Sequence, residues 1–551
     1  MAIFFFLYSH YYHRPEKVAF APYEAGNIRL FYVSSPFLES QIKQIGQRLS
    51  RDLATAESRV GAKLDGPLTV YVYNNWEEKG NAVRDIRITS TQENPNVIHC
   101  IFNSHYDGLK EGGEYDALLW QRYGEPVRPE FLTYARAAFS GTWNQKTLNE
   151  WGRFLVARKL LPNFPEFLST NQGISEYILY PWNAIFLQFV NAKFGWNVMI
   201  EVYRTGAPPK DYENAWHDYL SKIPTTPVSP SPFRQEFQKG VSYAYSNGYK
   251  SGYATRKSML SLDELKKLGA NWVAAIPYGF MRSEPKMHFA GHDIFGESDE
   301  SMIALVDAAH ERSMKVMMKP QVWIGRDSWP GSVDFATQPE WDQFMNNYEN
   351  WIVHYAILSE LSGADLLCIG TEFVQATLKN PDRWRVLIAR VRQVYHGPLV
   401  YAANYGKEFE GIAFWDTLDY LGLDNYYPVR ASSSEGVDVI KAGFLQQKER
   451  LKAISLKYHK PVLFTEIGYM ANNSAGMGSA EANDENYSEQ MQAHCYRLAM
   501  ETYWNEPWFS GMYWWKWFSD ESDRGRDADP HSPHGRAAEI VLKEWYNRSH
   551  S

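Results

Sequence analysis

The sequence predicts an α/β chain in two parts. An N-terminal α+β domain spans residues 1–221, a Pro-rich linker spans 222–238, and a (β/α)8 TIM barrel spans 239–551. Three observations predict it. The chain has 551 residues, whereas single hydrophobic cores stop growing near ~250–300 residues. The segment 222–238 sets four prolines among Ser and Thr, a stiff extended stretch that neither a helix nor a central strand tolerates. After it, short apolar runs alternate with long amphipathic stretches, the pattern of parallel strands buried under helices.

Taken in order, the N-terminal part shows strand patterns at 27–33, 68–73 and 97–102, a helical pattern over 39–60, and mostly helical periodicity from about 115 to 221. Strands first and helices later read as α+β, and no internal repeat or low-complexity tract interrupts them. Beyond the linker the apolar runs are 240–244, 271–277, 315–320, 365–370, 398–404, 418–425, 461–466 and 511–517. Helical patterns separate them at 301–313, 340–361, 382–395, 437–458 and 486–504. Eight such units match a (β/α)8 barrel. An open doubly wound sheet would carry a Gly-rich phosphate turn after its first strand, and 240–253 contains no G-x-G-x-x-G.

Composition narrows the function. Hydrophobic residues make up 44% and charged residues 22%, which excludes a disordered or fibrous chain. The net charge of −8 without a basic block makes nucleic acid a poor partner. Aromatics reach 15%, with 20 Trp and 36 Tyr; this excess suits stacking on the C–H faces of sugars as well as it suits large aromatic cores. Three cysteines, Cys100, Cys368 and Cys495, form no disulfide framework and no C-x-x-C. No stretch reaches the ~18 apolar residues of a membrane span. The apolar start Ile3-Phe4-Phe5-Phe6-Leu7-Tyr8 lacks a basic flank and a cleavage site. It reads equally as the end of a truncated membrane anchor or as a first strand. The cell envelope or secretion is expected ahead of the cytoplasm.

In a barrel of this type, chemistry sits where strands end at the C-terminal face. The fourth run, Asp-Leu-Leu-Cys-Ile-Gly, leads into Thr371-Glu372, and the seventh, Pro-Val-Leu-Phe-Thr, leads into Glu466. Strands four and seven face each other across the mouth. Cleaving a glycosidic bond needs one carboxyl to protonate the leaving oxygen and another to attack or to activate water. A lone Glu at a strand end more often caps a helix or pairs with an Arg. Two, each in an apolar strand, require function or a tight partner, because an unpaired buried carboxylate is costly.

At these residues the chain resembles a known family. Gly269-Ala-Asn-Trp-Val273, Met318-Lys-Pro-Gln-Val322, Cys368-Ile-Gly-Thr-Glu372, Asn425-Tyr-Tyr-Pro428, Thr465-Glu-Ile-Gly-Tyr469 and Tyr513-Trp-Trp-Lys-Trp517 are similar to motifs of glycoside hydrolase family 113, known for β-1,4-mannanases, over residues 240–545. The resemblance implies a retaining barrel glycosidase with Glu372 as acid/base, Glu466 as nucleophile, an oligo- or polysaccharide as substrate and no cofactor. It also exposes a departure. Most of the wider clan places Asn before the acid/base, on the sugar 2-OH, and here Thr371 stands there, which fits an axial 2-OH such as that of mannose.

Further binding candidates follow. Tyr426 is placed to bond the nucleophile or to pack. Trp515 is placed to floor the cleaved subsite, with Trp514 facing the helices because strand side chains alternate. Lys319 ends strand three as a buried charge that needs a carboxylate or a sugar hydroxyl. Trp323 and Asn404 are expected at the ends of strands three and five. His288-Phe-Ala-Gly-His292 has metal-like spacing only if helical, and its Gly and loop position argue against a metal.

A second resemblance covers residues 145–205. Leu148-Asn-Glu-Trp-Gly-Arg153, Leu160-Leu-Pro-Asn-Phe-Pro165, Ile174-Ser-Glu-Tyr177 and the stretch from Phe189-Val190 to Phe194-Gly195 look like a gluzincin-type zinc peptidase. In that family two His of H-E-x-x-H share one helix face. Here Asn149 and Arg153 occupy the His positions while Glu150 and Glu176 remain, and arginine cannot ligate zinc. The resemblance implies a dead peptidase fold kept as a scaffold or glycan-binding module; the other reading is an unrelated helical domain. Four functions therefore compete: β-mannoside hydrolysis, hydrolysis of another β-glycan, non-catalytic carbohydrate binding, and a peptidase that the missing histidines oppose.

Overall fold

The structure is a computed structural model and describes residues 18–91, 94–161, 174–225, 235–245, 252–281, 287–289, 298–325, 329–478, 486–520 and 522–550. The apolar run 3–8, most of the Pro-rich segment and His292 lie outside the described residues, and of His288 only the backbone strand is described. The chain divides into two compact units, residues 1–152 with 180–222, and residues 153–179 with 223–551.

The first unit holds a five-stranded sheet in the order Phe20–Ala25, Ile28–Val33, Leu68–Tyr73, Val97–Ile101, Thr89–Thr91. The inner pairings are parallel and the two edge pairings antiparallel. One helix, Pro36–Val60, buries Leu38, Ile42, Ile45, Leu49, Leu53, Ala56 and Val60, the three-and-four spacing of a single apolar face. It begins ahead of the apolar periodicity because Ser35 caps it and Pro36 fits the first turn. The edge strand Phe20–Ala25 was not legible as a strand in the sequence.

The second unit contains a closed barrel of eight strands. In order they are Gln238–Ala244, Trp272–Ala275, Lys315–Met318, Leu366–Thr371, Leu399–Asn404, Leu421–Asn425, Val462–Ile467 and Phe509–Phe518. Every pairing around the ring is parallel. Strands four and seven are buried at every position, as expected where helices cover one face and the barrel core the other. The largest helices of the ring are Gln338–Ser362 and Val437–Tyr458. Strands five and six are the exception: a five-residue helix, Lys407–Gly411, and a 3-10 turn at Trp415–Thr417 join them.

A small sheet was not anticipated. Strands two and three each run into a proline, Pro277 and Pro320, and each resumes at once as a new strand, Tyr278–Met281 and Gln321–Ile324. Proline has no N–H to continue a ladder. The resumed strands pair with each other in parallel, and Met287–Phe289 adds an antiparallel edge. Trp323 therefore lies on this extra sheet rather than at the end of strand three.

Candidate active site

Glu466 sits in strand seven, 7% exposed. Three donors face it. Lys319 Nζ makes a short contact with Oε1, Gln321 Nε2 donates to the same oxygen at 2.8 Å, and the Tyr426 hydroxyl donates to Oε2 at 3.0 Å. Lys319 has no solvent exposure. Burial alone would discharge its ammonium, but Asp424 and Glu466 together hold its pKa above the ordinary lysine value. Asp424, equally buried, receives Lys319 Nζ at 3.4 Å and the Thr465 hydroxyl at 2.7 Å. Burial first, and the charge of Glu466 second, push the Asp424 carboxyl well above the usual range. The cation thus pairs most closely with Glu466, and Asp424 backs it from strand six.

Glu372 follows the last residue of strand four and has a left-handed backbone, φ 56°. That region is uncommon for a residue with a side chain and costs on the order of 1–3 kcal/mol. Its backbone N–H donates to Ala402 O at 2.8 Å, which ties the turn to strand five. The half-buried carboxyl takes two hydrogen bonds, from Trp329 Nε1 to Oε2 at 2.6 Å and from Asn404 Nδ2 to Oε1 at 3.0 Å. Burial and then the charge of Glu466 raise its pKa, while those two bonds pull the other way. The net effect is a carboxyl that keeps its proton to higher pH than a free glutamate.

The sequence-derived candidates thus gather unevenly. Glu466, Lys319 and Tyr426 form one hydrogen-bonded group and Glu372 and Asn404 a second, and the charge of Glu466 is felt at Glu372. Thr371 lies beside it, buried, and its hydroxyl has no hydrogen-bond partner among the described residues. Trp515 is half-buried and packs against the barrel core, whereas Trp514 points the other way and stacks on Tyr496 with centroids 3.7 Å apart. Trp323 is 51% exposed and pairs across the small sheet with Phe280, itself 44% exposed. Because side chains two apart share a sheet face, Tyr278 and Phe280 stand beside Gln321 and Trp323 on one face. That face begins at the Gln321 contact with Glu466 and ends in the two exposed rings.

Three residues of the site were missed in the sequence. Asp424 carried the same signal as Lys319, a charge inside an apolar strand, and the two would have been paired on that ground. Gln321 and Trp329 offered no such signal. In the peptidase-like stretch, Asn149, Glu150 and Arg153 are all exposed on helix Leu148–Ala157. Glu150 accepts from the backbone and the hydroxyl of Thr147, both at 2.7 Å, which is a helix-capping role. Among the described residues no three His, Cys, Asp or Glu side chains gather as a metal site, and no helix is long and apolar enough to cross a membrane.

A closed parallel barrel with two differently held glutamates at the ends of strands four and seven has the layout of a sugar-cleaving enzyme, and the comparisons make the class plain: this is a glycoside hydrolase. The model of Glycoside Hydrolase Family 113 matches residues 241–532, and the chain belongs to that family. Among solved structures it is similar to the GH113 β-mannanase AaManA of Alicyclobacillus acidocaldarius in complex with ManMIm. Identity is 24%, the TM-score is 0.51, and the alignment covers 57% of this chain and 99% of that one. It is also similar to a GH113 β-1,4-mannanase solved as a complex, at 27% identity and TM-score 0.49, over 57% of this chain and 100% of the other. No curated protein matches the chain.

Proposed function

We propose that the chain hydrolyses β-mannosidic linkages in mannan or manno-oligosaccharides by double displacement, with Glu466 attacking the anomeric carbon and Glu372 protonating the leaving oxygen. The observation that carries this reading is the contrast between the two carboxyls. Glu466 is surrounded by donors, one of them a buried cation, as an attacking carboxylate requires. Burial and the neighbouring negative charge favour the protonated form of Glu372, as a general acid requires. Two titratable groups whose surroundings differ in this sense are how such sites divide acid and nucleophile.

The role of Tyr426 follows from its bond to Glu466 Oε2: it orients the attacking oxygen and yields when the glycosyl bond forms. Trp515 offers a ring for the apolar face of the sugar. The exposed pair Phe280 and Trp323 offers further rings beyond the cleaved sugar, which favours a chain of sugars over a single one. That the sugar is mannose rests on the family and on Thr371 beside Glu372. For residues 145–205 the peptidase-like reading, with scaffold or glycan-binding duty, rests on sequence motifs alone.

A reducing-sugar assay over mannan, glucomannan, xylan and β-glucan, with NMR of the first anomer released, tests the proposal. Release from the mannans with the β anomer first is expected. Release from xylan or β-glucan alone would move the reading to another β-glycan. An α first product would mean inversion, and no release from any would leave a carbohydrate-binding protein.

A further inference from the structure

A second buried carboxyl stands behind Glu372. Glu408 lies in the first turn of the short helix after strand five, Lys407–Gly411, and is 1% exposed. Among the described residues no hydrogen bond joins it to Glu372; it holds what Glu372 rests on. Its Oε2 accepts the backbone N–H of Asn404 at 2.6 Å, and Asn404 Nδ2 is the donor to Glu372 Oε1. Its Oε1 accepts the Tyr401 hydroxyl at 2.7 Å, and Tyr401 in turn accepts the backbone N–H of Phe373 at 2.7 Å, the residue after Glu372. The same oxygen accepts the Thr377 hydroxyl at 2.8 Å, from the short helix Val374–Lys379 that follows Phe373. One carboxyl therefore clamps the end of strand five, the turn after strand four and the helix beyond it. Glu372 lies inside that clamp in a left-handed conformation that needs outside support.

We propose that Glu408 is a positioning residue for the acid step: through Asn404, Tyr401 and Thr377 it fixes the direction in which Glu372 presents its proton to the leaving oxygen. Burial pushes the Glu408 carboxyl up to about 8, against the pull of the three donors it accepts from.

The inference rests on Glu372 being the acid, and the test keeps the two apart. Glu408→Ala, Glu408→Gln and Glu372→Ala are compared by kcat/KM on two glycosides of the cleaved sugar, an aryl glycoside with a 2,4-dinitrophenolate leaving group and an alkyl glycoside with a poor alkoxide one. Misplacing a catalytic group by about 1 Å costs roughly 100-fold. Glu408→Ala should lose about that much on the poor leaving group and less than roughly tenfold on the good one, with KM little changed. Glu408→Gln keeps an acceptor for the two hydroxyls but presents N–H to Asn404, so it should fall between, with the same split. Equal losses on both substrates in the Gln variant would overturn the proposal even if the Ala variant fails to fold. If Glu372→Ala shows no split, the acid assignment itself fails; if it does and the Glu408 variants do not, only the positioning role fails.

Discussion

Replacing Lys319 by Met probes the centre of the site with little change in shape. The side chain is fully buried, meets Glu466 through a short contact and lies 3.4 Å from Asp424. Met keeps the unbranched stem and deletes the cation. Removing one partner of a buried ion pair costs about 3–5 kcal/mol, because the other charge is left unmatched. At about 2 °C per kcal/mol for a large domain, the melting transition of the barrel should drop by about 6–10 °C in scanning calorimetry. Chemistry should suffer as well. Lys319 and Gln321 together fix Glu466 Oε1, so without the lysine the attacking oxygen loses a partner and turnover should fall. A melting temperature within 2 °C of the parent together with unchanged kcat/KM would refute the reasoning, since a spectator lysine would behave in that way.

Other outcomes follow from the same contacts. Glu372→Ala should spare substrates with good leaving groups far more than natural glycans in kcat/KM, by a margin near the roughly 10²–10⁴-fold worth of general acid catalysis. Trp329→Phe removes the 2.6 Å bond that favours ionised Glu372. Its pKa should rise further, so the alkaline limb of the kcat/KM profile should shift to higher pH; a shift to lower pH would contradict the assignment. Trp323→Ala should weaken cleavage of long substrates, roughly fivefold to thirtyfold for the loss of ~1–2 kcal/mol of ring contact, while leaving a short aryl glycoside nearly untouched. A chain-length series measures the difference.

Much of the architecture was legible in the sequence. The eight barrel strands stand within a few residues of the apolar runs, because strands buried on both faces leave an uninterrupted apolar signature. Glu372 and Glu466 were visible for the converse reason: each breaks that signature at a strand end. Lys319 could be read as a charge in need of a partner, and it has one. The small sheet escaped because the strand signals of runs two and three stop at Pro277 and Pro320, and the four-residue strands beyond them are too short to announce themselves without the pairing that the fold supplies. Trp329 and Glu408 escaped for a related reason. They come from segments off the barrel strands, and nothing local tells where such a segment returns its side chains.

The central claim is that Glu466 is the nucleophile of a retaining reaction, and azide rescue tests it most directly. Glu466→Ala deletes the attacking group and opens space where a small anion can approach the anomeric carbon from the same face. With a 2,4-dinitrophenyl β-glycoside and added sodium azide, the variant should regain part of its turnover and release the α-glycosyl azide, identifiable by NMR. Absence of rescue on that activated substrate, or release of the β-glycosyl azide, would contradict the assignment.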